Sequence, residues 1–286
     1  MIENLKKIAF ERRLDVLEMV KAANSGHIGG DMSCMDILVA LYYKIMDTKK
    51  IIAAAPDRDR FVLSKGHCAE ALYAVLADRG VISKSSLKSF ASFGTLLAGH
   101  PMRKLPGIEA ATGALGHGLS LGVGMSIGLT CSECECSSHV AHANRSNSAK
   151  IYVLMGDGEL AEGSVWEAFM SASKYKLDNL CAIIDRNRLQ ISGDTKEVMP
   201  LENLSEKFRT FGWECRICDG HEPDEIIKAL TKDRPPSRPL AVIANTIKGF
   251  GSPLMENKAE WHHRIPDDIE FEQIKKDLTE RRDNCG

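Results

Sequence analysis

Two short apolar runs, Ile151 to Met155 and Leu180 to Ile184, place the tightest limit on how this chain can fold. The first stops at Gly156-Asp157-Gly158 and the second at Asp185-Arg186-Asn187. Between them Val165, Ala168, Phe169, Ala172 and Tyr175 recur at helical spacing. Apolar runs of strand length bounded by turn residues suit strands buried on both faces, and a helix between two of them suits a parallel crossover. The pattern predicts strand, helix, strand, and with it an α/β fold: an open, mostly parallel sheet flanked by helices. Ligands of such sheets bind outside the carboxyl ends of the strands. Asp157 and Asn187 are therefore expected side by side at one such end, among glycines that let backbone N–H groups approach an anion.

A hard cation holding a diphosphate fits this arrangement. Mg²⁺ takes oxygen ligands in an octahedron, one or two from side chains and the rest from phosphates and water. Asp157 supplies charge, Asn187 a neutral oxygen, and a main-chain carbonyl shortly afterwards can complete the protein's share. A tight turn beside an ordinary polar strand end is the plainer reading of Gly-Asp-Gly taken alone.

Composition narrows the class. At 286 residues the chain can bury a large core, and 44% apolar with 27% charged residues is ordinary for a globular protein. A formal charge of −2 gives no basic excess for nucleic acid. No apolar run reaches membrane-span length and the first residues show no export signal, so a cytoplasmic protein off the membrane is expected. Nine cysteines without an export signal point to reduced thiols, with Cys181 a small buried hydrophobe.

Along the chain, residues 1 to about 23 read as an amphipathic helix through Leu5, Ile8, Leu14, Leu17 and Val20. A glycine-rich turn at 24–30 carries His27, and Cys34 to Tyr43 begins a second helix. Phe61 to Ser64 is a strand ending at Lys65-Gly66-His67, followed by a helix from Ala69 to Leu76. Residues 90–118 are rich in turns. Leu119 to Leu129 is a small-residue helix whose glycines at 118, 122, 124 and 128 suggest close backbone packing. Leu240 to Thr246 is a buried strand and Ile269 to Arg282 a charged helix. With no repeat or linker visible, one domain over 1–286 is expected.

Four histidines, His27, His67, His100 and His262, each sit beside a glycine turn or at a strand or loop end. Each alone fits a hydrogen-bonded structural role. Together, beside an anion-binding motif, they suit donation to phosphate or hydroxyl groups and proton exchange near neutral pH.

These residues carry a resemblance. Gly156-Asp157-Gly158 closed by Asn187 resembles the thiamine diphosphate motif, and the longer string through Asp185-Arg-Asn-Arg-Leu-Gln-Ile-Ser-Gly is similar to transketolases, most closely the separate N-terminal subunit of split bacterial ones. The resemblance implies that Asp157, the Asn187 side chain and the Leu189 carbonyl hold Mg²⁺, with Ca²⁺ or Mn²⁺ as substitutes. It implies that Gly158 and Asn187 contact the diphosphate and that Ile191 lies near the thiazolium. Ser25-Gly26-His27 and Gly99-His100-Pro101 resemble segments that hold the donor sugar, Ser64-Lys65-Gly66-His67 one that meets the diphosphate, and Trp261-His262 one that meets both. Thr112 to Leu115 resembles the loop whose main chain at Gly113, Ala114 and Leu115 cradles the aminopyrimidine, and Glu162 matches a position near the cofactor. Matching segments recur from about residue 20 to 265.

The function implied is a transferase of carbohydrate metabolism, of the pentose phosphate kind, moving a two-carbon ketol unit from a ketose phosphate to an aldose. His27, His100 and His262 are its implied catalytic groups. Because relatives place the glutamate that activates the cofactor in a second, pyrimidine-binding domain, a separate C-terminal partner subunit is expected, in an α2β2 heterotetramer. The alternatives are the α chain of a 2-oxo acid dehydrogenase, a deoxyxylulose-phosphate synthase-like chain, or a non-catalytic homologue. His117 and His263 depart from the usual residues and stay unassigned. Cys131 to His142 has spacing that could bind zinc, with a polar surface loop as the plainer reading, while Cys215-x-x-Cys218 lacks a second pair and reads as structural. Glu159 and Glu162 are expected in a first helical turn, where the dipole favours acids.

Overall fold

A computed structural model describes residues 4–132, 149–191, 193–201 and 203–285. In chain order its elements are α1 (Leu5–Ala23), α2 (Ile28–Ala40), α3 (Thr48–Ile52), β1 (Arg60–Leu63), α4 (Ala69–Asp78), α5 (Gly118–Ser132), β2 (Ile151–Gly156), α6 (Gly163–Lys174), β3 (Leu180–Arg186), α7 (Thr195–Val198), α8 (Leu204–Thr210), β4 (Glu214–Asp219), α9 (Pro223–Thr231), β5 (Leu240–Asn245) and α10 (Asp268–Asp283). The strands form one sheet in the order β1-β2-β3-β5-β4, every pairing parallel.

The sheet is buried on both faces, which is why its strands read as continuous apolar runs. Tyr152, Leu154, Cys181 and Ile183 point into a core with α1, α2, α4 and α10. Their neighbours Ile151, Val153, Met155, Leu180, Ala182 and Ile184 point into a second core with α6 and α8. Cys181 behaves as a hydrophobe, its thiol pushed up by burial to about 12. Cys215 packs into one core and Cys218 into the other, so the two cannot share a ligand. Cys131 to His142 lies outside the residues whose side chains are described.

Several sequence expectations shift. β4 and α9 went unforeseen; β4 is an edge strand whose burial is broken by exposed Ile217 and Asp219 and by half-buried Glu214 and Arg216. Tyr175 stands beyond α6 as its C-terminal cap, and is 43% exposed. Of the α5 glycines, an added Cβ at Gly118 would clash with Ser64 and one at Gly122 would meet Val153 at 2.6 Å, yet at Gly124 and Gly128 it would meet nothing within 4 Å. Close packing therefore explains two of the four.

The most consequential shift concerns α2. It starts at Ile28, includes Gly29 and Gly30, and every one of its residues is buried. A Cβ at Gly29 would meet the Trp261 carbonyl at 2.6 Å, and one at Gly30 would meet the Cys68 sulfur at 2.6 Å. Those glycines cost helix propensity but let the first turn of α2 lie against the segments carrying His262 and His67.

Candidate active site

β1, β2, β3 and β5 run parallel and so end at one edge of the sheet, where each passes into a loop bearing polar side chains. A cavity of about 420 Å³ opens there. Its walls include His27, His67, His100 and His262 together with Asp157, Gly158, Asn187, Leu189 and Ile191, and also Gly113 and Leu115. Residues from widely separated stretches of the sequence thus meet in one place.

His27 is the centre of the imidazole group. Its ring centroid lies 5.4 Å from His67, 5.9 Å from His100 and 5.6 Å from His262, and His67 lies 5.2 Å from His262. Burial, then neighbouring His263, His100 and Lys248, depress His27 to about 4. Burial and then Lys248 depress His262 to about 3. His67 and His100 are lowered too, in both cases chiefly by burial. At neutral pH these are uncharged imidazoles able to donate and accept hydrogen bonds, and an anion entering the cavity would favour their protonation. The Nδ1 of His27 is buried without a partner among the described residues, and His27 lines the cavity.

Asp157 is 1% exposed. It accepts from the backbone N–H of Gly158 at 2.8 Å and of Arg188 at 2.6 Å, with the Arg186 guanidinium at 3.4 Å. Burial and the nearby Asp185 charge outweigh those donors and push its carboxyl up to about 6. Asn187 donates its amide to Asp185 at 3.4 Å while its oxygen accepts from the Leu189 N–H at 3.1 Å. One costly buried carboxyl, one amide oxygen and one main-chain carbonyl form an all-oxygen set of the kind Mg²⁺ accepts, and a cation would remove the cost of ionising Asp157. The residues fit the metal. Thiamine diphosphate fits as well: besides the His27 nitrogen, the Nε2 of Gln190, a residue of the cavity wall, is buried without a partner among the described residues, and Gly158 lets the chain pass so close to Gln190 that a Cβ would meet it at 2.8 Å.

Sequence reasoning missed the charges behind this wall. Lys65, 1% exposed, pairs with Asp185 and reaches the Gly30 carbonyl at 3.3 Å. Asp185 also accepts from Ser33 at 2.6 Å and from Thr246. Burial opposes both charges, but each partner more than compensates, raising Lys65 and lowering Asp185. Lys248 lines the cavity 2.9 Å from the Nδ1 of His262, and burial followed by repulsion from Lys65 lowers it to about 8. The signal for Lys248 was present in the sequence, a lysine just past a buried strand and beside Gly249. Glu159 is no helix-dipole acid in the first turn of α6. It precedes that helix in a short 3₁₀ turn, is 1% exposed, and accepts from Ser64, from Gly116 N–H at 2.9 Å and from Gly156 N–H at 3.2 Å, tying three loops together.

Four named residues stand outside the cavity lining. Ala114 and Glu162 are exposed, Glu162 being the N-cap of α6 against Gly116. His117 is exposed, its Nδ1 close to the Ala114 and Leu115 carbonyls. His263 is exposed with its ring 4.6 Å from His27, but His262 is the one that faces the cavity.

Comparison with known proteins agrees with this geometry. The family described as "Transketolase, thiamine diphosphate binding domain" matches residues 5–282. The chain is 44% identical over 281 residues to an apulose-4-phosphate transketolase subunit of Phocaeicola vulgatus, covering 98% of this chain and 95% of that one. It is 40% identical over 249 residues to a 6-deoxy-6-sulfo-D-fructose transketolase subunit of a Clostridium species, covering 86% of each. Human transketolase is 38% identical over 261 residues, 91% of this chain but 40% of that protein. Among solved structures, Campylobacter jejuni transketolase superposes with a TM-score of 0.85 at 29% identity, over all of this chain and 46% of that one. With a family match from residue 5 to 282 over a fold and a cavity of this kind, the chain belongs to the transketolase family and constitutes its thiamine diphosphate-binding domain.

Proposed function

We propose that this chain is the cofactor-binding subunit of a two-chain transketolase that moves a two-carbon ketol unit from a ketose with an anionic end to an aldose acceptor. The observation that carries this reading is the convergence of four imidazoles and an oxygen-donor set on one cavity. Both related subunits are named for ketoses with an acidic end, one a phosphate and one a sulfonate, which supports the substrate class.

When bound, thiamine diphosphate supplies an electron sink for cleaving the bond next to a carbonyl. The protein's work is to hold and orient. Asp157, the Asn187 oxygen and the Leu189 carbonyl are assigned to Mg²⁺, or to Ca²⁺ or Mn²⁺ in its place. His67, Lys248 and the Gly158 backbone are assigned to the diphosphate, with Asn187 beside them. The backbone of Gly113, Ala114 and Leu115 is assigned to the aminopyrimidine, and Ile191 to the thiazolium; Glu162 stands at the rim. His27, His100 and His262, uncharged at rest, are placed to accept hydrogen bonds from sugar hydroxyls and to move protons between them.

The partner would be a separate pyrimidine-binding subunit, in an α2β2 assembly. Ile191 supports it: this apolar side chain sits at the cavity mouth 74% exposed, where a second chain would cover it. The test is reconstitution. Calorimetric titration with thiamine diphosphate and Mg²⁺ should give binding when the pyrimidine-binding chain is present, and ketol transfer should require both chains. Failure to bind under those conditions would favour a non-catalytic homologue, and full turnover by the single chain would remove the two-chain reading.

A further inference from the structure

Two carboxyls that take no part in the assignments above lie directly beneath the imidazole group. Asp31 stands in the first turn of α2 and Glu70 in the first turn of α4, and both are 0% exposed. Each has one oxygen satisfied by a backbone N–H: Asp31 Oδ1 accepts from Ala71 at 3.0 Å, and Glu70 Oε1 accepts from His27 at 3.1 Å. The remaining oxygens, Asp31 Oδ2 and Glu70 Oε2, are both buried with no donor among the described residues. Glu70 is seated so closely under the preceding turn that a Cβ at Gly26 would meet its Oε1 at 2.6 Å, and Gly26 itself has φ +144°.

Two buried carboxylates side by side cannot both ionise, and an orphaned buried oxygen is costly. One proton resolves both problems, because a protonated carboxyl donates to the free oxygen of its neighbour. We propose that Asp31 and Glu70 share a single proton and act as one unit, a positioning pair that pins the His27 turn to the start of α4. Burial, then the Glu70 charge, raises Asp31 well above the usual carboxylate range, and burial pushes Glu70 up to about 8 against the N–H groups of Glu70 and His27. The titratable groups facing the pair are Lys65, Cys34, Cys68 and Tyr73, with the His27 backbone above them. The one cation among these, Lys65, is committed to Asp185. The pair therefore keeps its proton at neutral pH, and losing it puts a second negative charge under the histidine that contacts four others.

The shared proton makes a signed prediction that needs neither cofactor nor partner. A carboxyl whose folded pKa is raised stabilises fully below its unfolded pKa, and that stabilisation fades as pH rises through the folded value. Glu70→Gln keeps an acceptor for the His27 N–H and gives Asp31 a permanent donor, so it mimics the protonated form at every pH. Thermal melts of the two chains at about pH 5.5 and about pH 8.5 should show Glu70→Gln gaining on wild type by on the order of 2–4 °C at the higher pH. Asp31→Asn should behave alike. A melting difference that is the same at both pH values would overturn the shared proton. The positioning role rests on the proposed function and is read separately, in the enzyme reconstituted with its pyrimidine-binding chain. There Glu70→Ala should lower kcat by on the order of ten-fold while Glu70→Gln restores it. Equal kcat in Glu70→Ala and wild type would overturn the positioning, and failure of Glu70→Ala to fold leaves the Glu70→Gln melts to decide the pair.

Discussion

Two buried ion pairs do opposite work in this molecule. Arg13–Asp36 lies among the helices, with both partners at most 2% exposed. Arg13 also donates to the Met32 carbonyl at 2.8 Å and 3.1 Å, and its guanidinium lies 5.1 Å from the Phe10 ring and 5.0 Å from that of Phe250. Asp36 accepts from His221 Nδ1 at 2.8 Å, and His221 Nε2 accepts from the Ile247 N–H at 2.9 Å. Both nitrogens of that ring are engaged within the fold. Lys65–Asp185 is equally buried, yet Lys65 forms part of the cavity wall whose lining also includes His27 and Gln190, each with an unpaired buried nitrogen among the described residues, and Asp185 raises Asp157 and holds the Asn187 amide. The first network is closed in that its donors and acceptors are paired, although Asp36, His221 and Phe250 border a second cavity, and it stabilises the fold. An open one keeps charge and unsatisfied donors ready for a ligand, at a cost in stability.

The sharpest break comes from Arg13→Ala. Stranding Asp36 without its cation should cost about 3–5 kcal/mol, read from urea midpoints, while the cofactor affinity of the folded fraction stays the same. If cofactor affinity falls with it, the two networks are coupled. Asp157→Asn should do the reverse. Losing the charged ligand should weaken thiamine diphosphate binding in Mg²⁺ by on the order of 100-fold or more. Without cofactor the variant should match or exceed wild type in stability above about pH 6, because a carboxyl raised to about 6 has by then lost its stabilising protonation.

Lys248 offers an intermediate case. Its charge is held on sufferance of burial, so Lys248→Met should weaken the diphosphate by on the order of ten-fold yet leave the free chain at least as stable. A lysine lowered to about 8 leaves the folded chain short of a proton that the unfolded chain still binds up to about pH 10.4, so wild-type stability should rise with pH across that window. The variant should lack that rise, and urea titrations at both ends of the window would show whether it does.

The same contrast governs what could be read from the sequence. The strands buried on both faces announced themselves as apolar runs, Asp157 and Asn187 stood at the ends of two of them, and the four histidines each stood beside a glycine turn or at a strand or loop end, where one-dimensional spacing is informative. Edge strand β4 gave no such run. Lys65, Asp185 and Glu159 hold charges whose meaning depends on partners far away in the chain, Ser64 to Glu159 and Lys65 to Asp185 among them. No local pattern encodes such pairings. α2 shows the other limit, since its opening glycines look like a turn until the close approach of Trp261 and Cys68 explains them.

The smallest effects are the finest test of the open and closed networks, because neither substitution strands a charge. Thr246→Val deletes a hydroxyl that donates to Asp185, which keeps Lys65, Ser33 and Asn187. It should cost about 1 kcal/mol in stability and, by loosening the carboxylate that holds the Asn187 amide, weaken cofactor binding a few-fold. Phe250→Leu removes the ring that stacks 3.6 Å from His221 and lies over Arg13. It should cost a similar amount, about 1 kcal/mol, with cofactor affinity unchanged. Equal stability losses with unequal binding losses would show that the two networks differ in what they face and not in how strongly they hold; matching binding losses would mean that strain in either reaches the cavity alike.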